Sequence, residues 1–214
     1  MTSTIEIAGL PWRILSVASV DELLDEADDI DRFPFGLVLW ESAVALSLYL
    51  SDHSPCLTDM KVLELGAGAG IAGLVARSLG AQVSQTDNQS EAIRLAEQNA
   101  MVNGISGITR FMADWRTWTR SDLYDVLIAA DITYERSAHF YLEEIFSRNL
   151  APGGSVYLSD PGRPQTLEFM GHLETRGWSV EMETQRTPHL EHGQTVGPTD
   201  VAIFTIRRGT PLWE

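Results

Sequence analysis

A strand that runs directly into glycines, with an acid at the end of the next strand, is a pattern that can hold a nucleotide-like molecule. Here Val62-Leu63-Glu64-Leu65 leads into Gly66-Ala67-Gly68-Ala69-Gly70, and a helix is predicted from Ile71. Glycines permit left-handed backbone angles and let a ligand approach the main chain closely. Gly68, Gly70 and Gly73 spell the G-x-G-x-x-G of dinucleotide sites. The loop nevertheless begins at Gly66 and reads G-x-G-x-G in that register. Glu64, just before it, is a poor neighbour for a pyrophosphate but tolerates a sulfonium and an ammonium. The pattern therefore favours S-adenosylmethionine over a nicotinamide cofactor. Asp87, 21 residues after Gly66 and followed by Asn88, can accept hydrogen bonds from ribose hydroxyls of either cofactor.

Two further groups sit where strands end. Asp114–Trp115 can offer a carboxylate to an adenine amino group and an indole to its ring; the alternative is a capping Asp beside a core Trp. Asp131 follows the apolar run Val126–Ala130, at the carboxyl end of a central strand, where open α/β sheets place ligands. His189 and His192 flank Glu191 with metal-like spacing, but a catalytic zinc normally has three protein ligands, so no metal is predicted. Asp160–Arg163 either shapes a substrate mouth or is a Pro/Gly turn with solvated charges.

The elements that must position these residues alternate regularly. Predicted strands are Thr4–Ile7 and Trp12–Val17, with a turn at Gly9–Pro11, then Lys61–Leu65, Gln82–Gln85, Thr109–Met112, Tyr124–Ala130, Ser155–Leu158, Ser179–Thr187 and Val201–Arg207. Predicted helices are a run opened by Pro34 and Gly36 and continuing to Leu50, then Ile71–Leu79, Ser90–Val102, Ala138–Arg148 and Gln165–Arg176. Asp21 to Asp31, with seven acids in eleven positions, reads as a solvated loop or a short helix, and His189–Pro198 reads as a loop. The alternation predicts an α/β, doubly wound, mostly parallel sheet whose last two strands pair antiparallel at one edge.

The chain has 214 residues, 44% of them hydrophobic, enough for one packed α/β unit. The net charge of −15 argues against general nucleic-acid binding and suits a cationic partner. One cysteine, Cys56, excludes an intrachain disulfide framework. No signal pattern and no membrane-spanning run stand out, so a soluble, cytoplasmic monomer is expected.

Four blocks together resemble the seven-strand S-adenosylmethionine-dependent methyltransferases, and within them the small protein-lysine methyltransferases. They are Leu39-Trp40-Glu41-Ser42-Ala43, the glycine block from Glu64 to Gly73, Asp114–Trp115, and Ala130-Asp131-Ile132-Thr133-Tyr134, which carries the Asp-x-x-Tyr motif of that branch. The resemblance implies a Rossmann-like seven-stranded sheet over residues 36–214, preceded by a short extension over residues 1–35. It implies that Trp40, Glu64, Gly66, Ala67, Gly68, Gly70, Asp87, Asn88, Asp114, Trp115 and Ala130 line the cofactor. It further implies that the acceptor is a protein lysine, with a small amine or other metabolite as the alternative; a third reading is a cofactor-binding scaffold without catalysis, against which Asp131 and Tyr134 speak.

A lysine acceptor must be neutral to attack, yet its pKa of about 10.4 leaves little free amine at neutral pH. Asp131 would orient the amine and stabilise the charge developing on nitrogen; its alternative role is to cap the next helix. Tyr134 would line the alkyl channel and accept from the ammonium; its alternative role is as a packed rim aromatic.

Overall fold

The computed structural model describes residues 1–17, 35–53, 57–191 and 194–209. The acidic segment from Asp21 to Asp31, Pro34, Cys56 and His192 lie outside the described residues. The chain opens with a hairpin of β1 (Thr2–Ile7) and β2 (Leu10–Leu15). Its turn is Ala8–Gly9, both with positive φ, which matches the twist of the two strands. Leu10 and Pro11 thus belong to β2, and the turn predicted at Gly9–Pro11 falls earlier. A single 3-10 turn at Phe35–Leu37 precedes α1 (Glu41–His53), so the predicted helical run starts later than Pro34 and Gly36 suggest.

Strands and helices then alternate: β3 (Lys61–Leu65), α2 (Ile71–Ser78), β4 (Gln82–Asp87), α3 (Ser90–Val102), β5 (Thr109–Met112), β6 (Tyr124–Ala130), α4 (Arg136–Asn149), β7 (Leu150–Asp160) and α5 (Pro164–Thr175). The last elements are β8 (Trp178–Glu191) and β9 (Gln194–Arg208). Their register runs through His189↔Gly197 and Pro188↔Pro198. The segment predicted as a loop is therefore the far end of a long hairpin.

The seven strands order as β5-β4-β3-β6-β7-β9-β8. The first five are parallel, while β9 inserts antiparallel between β7 and β8. The expected antiparallel edge is present, with the last strand in sequence lying one place in from the rim. Central β6 is almost entirely buried, as helices covering both sheet faces require. Ile71, Ala72, Leu74, Val75 and Ala76 of α2 are all buried. They lie between the sheet and the N-terminal hairpin, whose Ile5, Ile7, Trp12 and Ile14 share one core with Ile71, Leu74 and Val75. Burying each such side chain stabilises by about 1.5–3 kcal/mol. The hairpin is packed as part of this core. No helix among the described residues is long and apolar enough to cross a membrane.

Because β3 leads away to β4 on one side and β6 to β7 on the other, a crevice opens between the carboxyl ends of β3 and β6. That is the place where open α/β sheets bind ligands.

Candidate active site

The crevice is a cavity of about 800 Å³, within the range of about 300–1,000 Å³ usual for small-molecule sites. Trp40, Glu64, Gly66, Ala67, Gly68, Asp87, Asn88, Asp114, Trp115, Ala130, Asp131 and Tyr134 line it. Gly70 does not; it sits at the N-cap of α2 with φ 80°, turning the chain into the helix. Phe35, Gly36, Glu135, Ala138 and Tyr141 also line the cavity and were not singled out from sequence.

The glycine loop is built by close approach. Gly66 has φ 63°, and a Cβ there would lie 2.8 Å from Ile132 Cγ2 and 3.4 Å from Trp115 Cζ2. Gly68 has φ 52°, and a Cβ there would lie 3.1 Å from the carbonyl oxygen of Gly36. The Phe35–Leu37 turn therefore lies on the loop. Asp87 Oδ2 accepts the Gly68 N–H at 3.0 Å, and Oδ1 accepts the Gln89 N–H at 3.0 Å. Burial raises the Asp87 carboxyl above its usual range, and these backbone N–H groups oppose the shift. The carboxylate that could receive ribose hydroxyls thus also fixes the loop.

Glu64 lies beneath the loop. Its Oε1 accepts the Gly73 N–H at 3.1 Å, and its Oε2 accepts from Gln85 Nε2 at 2.7 Å. Gln85 Oε1 in turn accepts from Arg110 Nε at 2.8 Å. Full burial pushes Glu64 up to about 7, with the Gln85 and Gly73 hydrogen bonds opposing. A Cβ at Gly73 would collide with the Glu64 carboxylate, which gives that glycine its purpose.

Asp114 accepts its own capped turn's N–H, from Arg116 at 2.9 Å, and pairs with the Arg116 guanidinium, Nη2 to Oδ2 at 2.8 Å. The capping alternative thus describes its observed bonds. Trp115 packs against both the loop and the core. Across the cavity, Trp40 Nε1 donates to the Phe35 carbonyl at 3.0 Å, and the Phe35 ring lies 6.0 Å from that of Tyr134. Tyr134 is partly exposed on this rim, and burial of the rest of it raises its phenol above the usual range.

Asp131 has φ 59°, uncommon for a residue with a side chain. Its side chain is 9% exposed and is paired with the Arg163 guanidinium, which also donates to Asp160 Oδ2 at 3.0 Å. Arg163 does not line the cavity but holds a residue, Asp131, that does. Its sequence signal was the Asp160–Arg163 turn, but nothing local marks a partner 32 residues away. His189 Nδ1 lies 2.9 Å from Glu41 Oε1, which also accepts the Leu190 N–H at 3.0 Å. The far end of the β8–β9 hairpin is thereby tied to the start of α1.

The chain is 31% identical to the protein-lysine N-methyltransferase EFM3 of Chaetomium thermophilum, over 81% of this chain and 58% of that one. It is 30% identical to the electron transfer flavoprotein beta subunit lysine methyltransferase of Rattus norvegicus, over 65% of this chain and 54% of that one. It is 28% identical to the histidine protein methyltransferase 1 homolog of Dictyostelium discoideum, over 65% of this chain and 47% of that one. The chain spans about half the length of these curated relatives.

Among solved structures, a methyltransferase from Pyrococcus furiosus superposes with a TM-score of 0.59 at 19% identity, over 89% of this chain and 98% of that one. The ribosomal protein L11 methylase of Lactobacillus delbrueckii subsp. bulgaricus gives 0.61 at 19%, over 79% of each chain. These two likenesses speak to the fold. A family model described as lysine methyltransferase matches residues 21–176, from the acidic segment to the end of α5, and the chain belongs to that family.

Proposed function

We propose that this chain transfers a methyl group from S-adenosylmethionine to the Nζ of a protein lysine. The observation that carries this reading is the joining of a glycine loop and an acceptor-side acid in one crevice. Gly66–Gly68 and Asp87 lie on one side of it, and Asp131 with Tyr134 on the other. Family membership and the named activities of the relatives support it.

Bound there, S-adenosylmethionine would supply an electrophilic methyl group on a sulfonium. The backbone of Gly66 and Gly68, the Asp87 oxygens and the Trp115 indole all line the cavity and suit such a molecule, with ribose at Asp87 and adenine toward Trp115. Trp40, Phe35 and Tyr134 would exclude water from the transfer region and enclose the lysine's alkyl chain. Asp131 would hold the ammonium as it arrives, then stabilise positive charge on nitrogen as the bond to carbon forms and that to sulfur breaks. The amine must give up one proton to solvent before attack. The same carboxylate raises the amine's ground-state pKa, so Asp131 orients and stabilises; it does not activate by itself. Holding nitrogen in line is the main contribution such a site can make.

The test is incubation of the chain and cell extract with tritiated S-adenosylmethionine. Label in a protein band that yields methyllysine on acid hydrolysis is the expected result. Label in the small-molecule fraction alone assigns the acceptor to a metabolite amine and overturns the lysine reading.

A further inference from the structure

At the acceptor end of the cavity two carboxylates share one guanidinium. Arg163 is the N-cap of α5, and Asp131 directly follows β6. Both Nη atoms of Arg163 donate to the Asp131 carboxylate, Nη2 at 3.3 Å, while Nη1 also donates to Asp160 Oδ2 at 3.0 Å. Asp160 is fully buried. Its Oδ1 accepts the backbone N–H of Gly162 at 2.8 Å and of Arg163 at 2.7 Å. Asp160 therefore grips Arg163 by both its backbone and its guanidinium. Asp131 is held on the other side by its own N–H, which donates to the Ser159 carbonyl at 2.9 Å. A left-handed, non-glycine residue over-determined in this way is where functional geometry is stored.

We infer that Arg163 is the positioning residue of the acceptor subsite: anchored on Asp160, it orients the Asp131 carboxylate toward a cationic amine, and the three groups together carry one net negative charge. The inference rests on the methyl-transfer reading for the identity of the acceptor. The charge follows from two carboxylates and one guanidinium. Other groups near the cluster are Glu41 at the start of α1, with His189 of β8 on it, and Tyr134 before α4; Glu135 and Asp87, at the end of β4, act on Tyr134. Of the groups that act most strongly on Asp131, Arg163 is the cation.

Burial raises the Asp131 carboxyl, the hydrogen bond and charge of Arg163 pull it back, and Asp160 and Glu41 push it up again. A protonated Asp131 could not balance an ammonium. Arg163 suits the task because its planar fork matches a carboxylate and it does not lose its proton near neutral pH.

The test follows Asp131 by carbon-13 NMR of side-chain carboxyls, assigned by difference against Asp131→Asn, with S-adenosylhomocysteine bound. In Arg163→Met the Asp131 titration should move up by roughly 1–3 pH units. In Arg163→Lys, which restores one charge without the fork, it should return part of the way. S-adenosylhomocysteine affinity should change less than about twofold in both variants, about 0.4 kcal/mol, because Arg163 does not line the cavity. An Asp131 titration that is the same in the chain and in Arg163→Met overturns the inference. So does a shift in Arg163→Met that Arg163→Lys fails to reverse even in part, because the change would then reflect packing. No methyl acceptor enters the measurement, so its outcome is separate from that of the labelling experiment.

Discussion

The Asp87 carboxylate accepts the backbone N–H of Gly68 at 3.0 Å, joining the end of β4 to the middle of the glycine loop. One side chain thereby shapes the loop and faces the cavity. Asp87→Ala should weaken S-adenosylhomocysteine binding by about 1.5–3 kcal/mol, the usual worth of a hydrogen bond to a charged group. That is roughly 10- to 150-fold in Kd. Titration calorimetry checks it. Unchanged affinity in a folded Asp87→Ala chain would remove the ribose from this position.

Gly66→Ala and Gly9→Ala separate backbone strain from collision. Both glycines have positive φ, 63° and 72°, but a Cβ at Gly9 meets nothing within 4 Å, whereas at Gly66 it meets Ile132 at 2.8 Å. Gly9→Ala should cost only the left-handed term, about 1–2 kcal/mol, and leave cofactor affinity alone. Gly66→Ala should cost more stability and lose S-adenosylhomocysteine binding as Ile132 and Trp115 shift. Equal losses in the two variants, by thermal unfolding and calorimetry, would show that the approach at Gly66 is not tight.

Legibility in the sequence followed the range of the interactions. Ser90–Val102 and Tyr124–Ala130 were readable to the residue, since periodicity and an unbroken apolar run are local signals. The glycine loop was readable because its backbone angles demand glycine. The β8–β9 hairpin was misread at one end because Pro188, Gly197 and Pro198 look like turn residues. They are tolerated there because β9 pairs with β7 only from Ala202 to Ile206, so beyond that point β8 and β9 pair only with each other. Arg163 was visible as part of a turn, but its bond to Asp131 depends on how β6 and α5 meet, which no local pattern encodes. Gly36 escaped for the same reason: its partner is Gly68, across the loop.

Asn99 offers a test of how the N-terminal hairpin is held. It is fully buried in α3; its Oδ1 accepts the Leu15 N–H at 2.7 Å, and its Nδ2 donates to the carbonyls of Leu15 at 3.0 Å and Ala69 at 2.9 Å. Asn103, one helical turn on, makes the same pair of bonds to Arg13 but in an exposed setting. Asn99→Ala should cost about 2–3 kcal/mol, because buried partners are left unsatisfied. Asn103→Ala should cost under about 1 kcal/mol, because water replaces it. Urea unfolding gives both values, and amide exchange at Leu15 should accelerate only in Asn99→Ala. Equal costs would mean that burial is not what gives Asn99 its weight.

Glu64 ties stability to pH with a definite sign. Burial pushes its carboxyl from the ordinary 4.5 up to about 7 in the folded chain. Below the unfolded value both states carry the proton, and burial has no ionic cost. As pH rises from about 4.5 to about 7, the unfolded chain ionises while the folded chain keeps its proton. The folded state then binds more protons, and stability falls with pH. Above about 7 both states are ionised, and this loss is complete. Glu64→Gln cannot titrate, so it removes the slope, although its amide donors must compete with Gln85 Nε2 for acceptors and lower stability throughout. The expected result is a stability advantage of the unmodified chain over Glu64→Gln that shrinks from pH 4.5 to 7 and then levels. Urea unfolding of both chains at matched pH values measures it. A constant difference across that range would mean that Gln85, the Gly73 N–H and Arg110 together keep Glu64 ionised in the fold.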